Sequence, residues 1–209
     1  MTRGFNHSLL ALLALTLVVS ACVSVKQNYP EKRYFALNPA RPALAPTIDR
    51  AAHKTILRIR PLRVSPGYEG RGLVYRTGPM EYSSDFYNEF LISPGLMFTD
   101  VFREWLNAAG LFEAVLDAPS QVLPDYILEG AVNCLQGDYR DDKAPQAVLE
   151  MQLFLIDASK SRSAIILQKH YRQEINLDNN DPQTLVNGWS RGLTAILADF
   201  EESLRRKGL

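Results

Sequence analysis

The chain has 209 residues, 46% of them hydrophobic and 22% charged, which is enough apolar material for one ordinary globular domain and excludes wholesale disorder. Its 23 basic residues meet 23 acidic ones, so no large field draws it to nucleic acid or to an anionic membrane surface. The two cysteines, Cys22 and Cys134, bound the disulfide chemistry at a single pair.

The chain opens with a short polar head, Met1–Ser8, in which Arg3 is the one charge. The apolar run Leu9–Val19 follows and has 11 residues. A spanning helix needs about 20, so the run is too short to cross a bilayer, and its length suits the apolar part of a secretory signal. Small residues come next, and Val19-Ser20-Ala21-Cys22 resembles the bacterial lipobox. That resemblance implies a lipoprotein precursor: a signal peptide over 1–21, cleavage between Ala21 and Cys22, and a diacylglycerol on the Cys22 sulfur. The alternative is an ordinary signal peptide with a chance cysteine. One acyl chain anchors only marginally, whereas two hold stably. Val23 is not aspartate, so the resemblance also implies sorting to the outer membrane. Loss of Arg3 leaves 22 basic against 23 acidic residues, a mature net charge of −1. With Cys22 lipidated, Cys134 has no disulfide partner. It lies in the apolar stretch Ala131–Leu135 and reads as a buried small residue, because no basic neighbour in sequence lowers its pKa.

Residues 22–33 read as the lipidated cysteine and a polar tether, whose extended reach is roughly 35–40 Å. The domain proper is expected over 34–209. Tyr34-Phe35-Ala36-Leu37 predicts a first strand, and Pro39, Pro42 and Pro46 an extended loop. Leu57-Arg58-Ile59-Arg60 alternates like a half-buried strand, with Pro61 marking an edge or a bulge in the segment Thr55–Val64. Ser65–Gly70 predicts a turn, Gly72–Thr77 a hairpin arm and Pro79–Ser83 another. Ser93-Pro94 predicts a helix start, Gly110 its end, and Met97, Val101, Trp105 and Ala108 its apolar stripe, widened by Phe98, Phe102 and Leu106. Phe112–Leu116 and Tyr126–Leu135 read as strands, and Val148–Ile156 with Ile165–Ile175 as a long hairpin. Asp181-Pro182 predicts the start of a second helix with the stripe Leu185, Trp189, Leu193, Ile196, Leu197, Phe200 and Leu204. Arg205, Arg206 and Lys207 complement its C-terminal dipole. The order predicts a single α+β domain in which two helices pack on a mostly antiparallel sheet.

Residues able to do chemistry are sparse. His7 leaves with the signal, and His53 and His170 show no metal-ligand spacing. There is no Gly-x-Ser-x-Gly elbow, and Gly67, Gly70 and Gly72 read as turn formers rather than a nucleotide loop. Asp85 and Glu89 could imitate an acid/base pair, but they read as solvated residues beside aromatic anchors. No enzyme, cofactor or metal is expected. Tyr68, Tyr75, Tyr82, Phe86, Tyr87 and Phe90 form an aromatic cluster. Core packing accounts for some of its members. Tyr68, Tyr75, Tyr82 and Tyr87 are the candidates for a partner interface, where tyrosine is enriched.

The full pattern resembles a known family. A lipobox-like start is followed by Tyr34–Leu37, Pro61-Leu62-Arg63-Val64, Gly67-Tyr68, Gly72-Leu73-Val74-Tyr75-Arg76, Tyr82 and Phe86-Tyr87. This is similar to the ABC-type transport auxiliary lipoproteins, of the paraquat-inducible protein C type, most strongly over Arg71–Arg76. Where that family often carries tryptophan and proline, this chain reads Asn88–Pro94 without tryptophan. The resemblance implies a non-enzymatic component of an ABC/MCE-type system that moves lipids or other hydrophobic compounds between inner and outer membranes. It implies an outer-membrane anchor, a domain facing the periplasm, and as partners an MCE (mammalian-cell-entry) domain protein and ABC transporter components. A homo-oligomer is expected from the symmetry of ring-shaped partners, and no nucleic acid. Two other classes stay open: a structural or assembly lipoprotein of an outer-membrane complex, and an envelope hydrolase, which would need His53 or His170 beside a serine and a carboxylate.

Overall fold

A computed structural model describes residues 30–42, 54–117, 119–160 and 162–209. The apolar run Leu9–Val19, the cleavage point at Ala21 and Cys22, most of the tether and His53 lie outside the described residues.

Between Tyr126 and Asp138 the chain carries Tyr, Ile and Val with no proline, so every residue except the bulged one can join a ladder. These 13 residues form β7, the organising strand of the sheet. One edge of β7 pairs along its whole length with β8 (Gln146–Asp157), and β8 pairs in turn with β9 (Ala164–Asn176), both antiparallel. The other edge is tiled by three short strands that all run parallel to β7. These are β2 (Ile56–Ile59), β3 (Arg63–Val64) and β4 (Gly72–Arg76). Pro61 separates β2 from β3, as its missing N–H requires. Pro66 opens a 3-10 turn over Pro66–Tyr68 that separates β3 from β4. Beyond β4 lies β5 (Tyr82–Phe90), antiparallel to it, and then β1 (Arg33–Phe35), parallel to β5. The strand β6 (Ala114–Leu116) pairs in parallel with β2.

The α+β class and the two helices agree with the sequence reading, but the sheet is mixed rather than mostly antiparallel. Among the described residues five of the eight strand pairings are parallel. Neighbouring strands in sequence suggest hairpins. Here the helix α1 (Pro94–Ala109) carries the chain across the sheet face before β7 returns, and such crossovers yield parallel partners.

The boundaries shift for local reasons. Strand β5 runs to Phe90, seven residues past the arm expected to end at Ser83, and β7 extends three residues past Leu135. Ser93 is the N-cap of α1, yet its hydroxyl makes no cap bond; its carbonyl accepts from Met97 N at 3.1 Å. Gly110 ends α1 at φ 66°, the left-handed conformation that glycine adopts without strain. Ala109, not Ala108, is the buried alanine of that helix. The second helix, α2, spans Pro182–Arg206, and the Asp181 carboxylate accepts from Gln183 N at 2.7 Å.

Both helices lie on one sheet face, α1 over β2, β3 and β6, and α2 over β8 and β9. Residues Ala147, Leu149, Met151, Leu153 and Leu155 alternate along β8 and are all buried beneath them. Trp189 anchors the centre: its Nε1 donates to the carbonyls of Gln136 and Val148, at 3.2 and 3.1 Å, and its ring meets Phe90 at 5.7 Å. Close approach of α2 depends on Gly188. A Cβ there would stand 2.7 Å from Ala147 Cβ and from Leu177 Cδ2.

Candidate functional site

The tyrosines proposed for an interface divide into two groups once β4 and β5 are in place. Tyr75 extends from β4 toward the core, stacks on Tyr139 at 5.3 Å between ring centroids, and donates its hydroxyl to Asp85 Oδ2 at 2.8 Å. Tyr68 closes the 3-10 turn over β7. Its hydroxyl donates to Gln136 Oε1 at 2.7 Å and lies 3.7 Å from the Cys134 sulfur. Burial pushes both phenols well above their ordinary pKa, with bonds to Asp85 and Cys134 adding to the effect. These two side chains are committed inside the chain. Tyr82 is half exposed on β5 beneath the Arg76 guanidinium. Tyr87 is partly covered and meets Phe86 edge-on at 5.2 Å.

Asp85 and Glu89 do not form an acid/base pair. Strand β5 is irregular between the residues facing Gly72 and Val74, and Asp85 holds that irregularity. Its Oδ1 accepts from Tyr87 N and Asn88 N, and its Oδ2 from Asn88 Nδ2 and Tyr75 Oη. Burial alone would raise its pKa, but the bonds from Asn88, Tyr75 and Tyr87 outweigh that and hold the carboxyl below its ordinary value. Glu89 is clamped by Lys32 Nζ at 2.6 Å and Arg71 Nη2 at 3.0 Å. The bond from Lys32, helped by Arg71, keeps this carboxyl low as well. The expectation of two solvated carboxylates is therefore corrected: both are structural acceptors.

The segment that carries the family resemblance, Arg71–Arg76, leads into and forms β4. Leu73 is fully buried, Tyr75 holds Asp85, Arg71 reaches Glu89 and the Phe90 carbonyl, and Arg76 donates to the Gly78 and Pro79 carbonyls. These residues shape the sheet edge.

Exposed aromatic surface lies on the next strands. Phe86 is 67% exposed under Lys32, whose Nζ stands 4.2 Å from the ring centroid, and Tyr34 is 51% exposed with the Arg71 guanidinium 5.4 Å from its ring. Phe35 and Phe90, each paired with the other in register, face the helices, so Tyr34 and Glu89 occupy the opposite, outer face. Met80, at the β4–β5 turn, is the most exposed large apolar residue there, at 94%.

The remaining candidates are separate from this edge. His170 lies on the outer face of β9, 3.1 Å from Glu150, which also pairs with Arg172 at 2.7 Å. Bonds from Arg172 and His170 lower the Glu150 pKa. Cys134 is half-buried, and burial raises its thiol pKa, which disfavours the reactive thiolate. Among the described residues no group of three or more His, Cys, Asp or Glu is placed to hold a metal ion. Cavities of about 210 and 110 Å³ flank Trp105 and Arg41. Between them sits an ion cluster that the sequence reading missed. Glu201 accepts from Arg41 at 2.9 Å, Trp105 Nε1 at 2.9 Å and Arg205 at 2.7 Å. The i,i+4 spacing of Glu201 and Arg205 and the place of Glu201 on an apolar helix face are the signals that could have flagged it.

No family model matches the sequence, and no curated protein matches it. Solved structures do share its fold. Protein XCC0632 from Xanthomonas campestris, described under the DUF330 family, superposes with a TM-score of 0.61 at 18% identity, over 82% of this chain and 90% of that one. An uncharacterized protein superposes with a TM-score of 0.64 at 16% identity, over 83% and 99%. At such identities the likeness is one of fold, and the chain is an α+β domain of the architecture that these two structures share.

Proposed function

We propose that this chain is a membrane-anchored lipoprotein of an ABC/MCE-type intermembrane transport system, serving the movement of lipids or other hydrophobic compounds between inner and outer membranes. The carrying observation is the lipobox-like Val19–Cys22, set directly after an 11-residue apolar run, at the head of a chain whose Arg71–Arg76 segment resembles the transport auxiliary lipoproteins. In this reading Cys22 holds the chain on the outer membrane, the domain faces the periplasm, and it docks an MCE-domain protein directly or as a homo-oligomer. The role is a binding one. It is supported by the way Asp85, Glu89, Glu150 and Glu201 are each tied into bonds that hold the fold.

Crosslinking in intact cells, followed by mass spectrometry, tests the docking. An MCE-domain protein encoded nearby is the expected capture. If that protein exists yet neither crosslinks nor copurifies, and deletion of either gene gives unrelated envelope defects, the transport reading fails and a structural role in an outer-membrane complex replaces it.

A further inference from the structure

We propose that the tip of the β4–β5 hairpin, with Met80 at its turn and Tyr82 beside it at the start of β5, rests in the interfacial layer of the membrane that holds the anchor. The inference relies on the lipid-anchor part of the reading above and is independent of the transport partners.

Strand direction supplies the first argument. Strand β1 runs parallel to β5, with Arg33 opposite Asn88 and Phe35 opposite Phe90. The start of the compact unit at Lys32 therefore points toward the Tyr82 end of β5, where the hairpin turns. Nine residues separate Cys22 from Lys32, a span of roughly 35 Å when extended. From Phe86 back to Met80 is six residues of strand and turn, roughly 20 Å. The tether is thus long enough to let the hairpin tip reach the bilayer plane and short enough to keep it close.

Chemistry supplies the second. Met80 and Tyr82 are both at least half exposed, and they lie at the end of the sheet toward which the anchored end of the domain departs. The Tyr82 ring beneath the Arg76 guanidinium matches the headgroup boundary, where such rings bury their apolar bodies and cationic stems snorkel to water. Charge sets the kind of lipid. At this end of the sheet Arg76, Arg140 and Lys143 stand beside Glu81, Asp138, Asp141 and Asp142, a nearly even balance. A surface so balanced suits a net-neutral lipid such as phosphatidylcholine. The contact needs little intrinsic affinity, because the anchor already supplies a high effective concentration.

The test uses the mature, lipidated protein in phosphatidylcholine vesicles. Cys134→Ser supplies a background, and an environment-sensitive label is placed by Met80→Cys or, for control, by Leu123→Cys. Leu123 is also exposed but precedes β7, at the opposite end of the sheet from the hairpin. Flotation with the vesicles reports the anchor alone. With flotation intact, lipid carrying a shallow nitroxide should quench the label at position 80 about twofold and leave position 123 unchanged, as interfacial insertion requires. Equal quenching at both positions, or none at position 80, overturns the proposal. Protection of position 80 only when a second protein is added identifies a protein-covered face and overturns it too.

Discussion

Glu201 is 4% exposed and receives hydrogen bonds from two guanidiniums and an indole. Burial alone would raise its pKa, but the bonds from Arg205, Arg41 and Trp105 outweigh that and hold it below the ordinary glutamate value. Asp85 is depressed in the same sense. A carboxyl whose folded pKa is lowered stabilises fully above its unfolded pKa, about 4, and that contribution disappears as pH falls through the folded value. Unfolding free energy should therefore hold level to about pH 5 and drop below it. Denaturant titrations across that range check this, and Glu201→Gln should flatten part of the drop. Glu201→Leu leaves Arg41, Arg205 and Trp105 without their acceptor and should cost about 2–4 kcal/mol, the range for stripping one partner from a buried pair whose cations keep some water. The i,i+4 spacing of Glu201 and Arg205 is legible in sequence, but the rest of the cluster is not. Arg41 lies 160 residues away, and only the fold brings the two together. The tyrosines illustrate the same limit: residue type marks them as candidates, but whether a ring packs inward or stays outside depends on the register of the strand that carries it.

At the scale of elements, the packing of α2 depends on Gly188. Alanine favours a helix interior over glycine by about 1 kcal/mol. Against that, its Cβ would overlap Ala147 Cβ, which is fixed to the β8 backbone, and Leu177 Cδ2, which has room to swing. The helix must lift, an overpacking cost of about 1–3 kcal/mol. Gly188→Ala should thus be neutral to destabilising by about 2 kcal/mol, and Gly188→Val worse. Gly67→Ala, with nothing within 4 Å of the new methyl, should leave the melting temperature unchanged or slightly higher. The two helix starts also differ. Asp181→Ala removes a cap bond and should cost about 1 kcal/mol. Ser93→Ala removes none and should cost much less, as thermal melts would show. Helix stripes, caps and the β8–β9 hairpin were legible because each is a local pattern of period 3.6 or 2. Parallel pairing was not, because it records where α1 delivers the chain, which no window of residues encodes.

For the molecule as a whole, the proposed anchor rests on the lipobox-like Val19–Cys22, outside the described residues. Cys22→Ala should leave an unprocessed precursor, because the thiol that accepts lipid is gone. Metabolic labelling with a fatty-acid analogue reads this, and equal labelling of the variant and the parent would remove the lipobox from the argument. The compact unit, Lys32–Leu209, was anticipated as one domain from length and element order. Its outward chemistry was not, since exposed rings on β1 and β5 carry the same periodicity as buried ones.

The tiling of β7 also bears on how this protein is made. Strands β2, β3 and β4 all take β7 as a parallel partner, and β7 is synthesised roughly fifty to seventy residues after them. A chain made from its amino end presents those strands before the template exists, and non-local pairings of this kind form slowly. The edges of β2, β3 and β4 that face β7 must therefore wait unpaired, open to chaperones and proteases alike, until the second half of the polypeptide emerges to organise them.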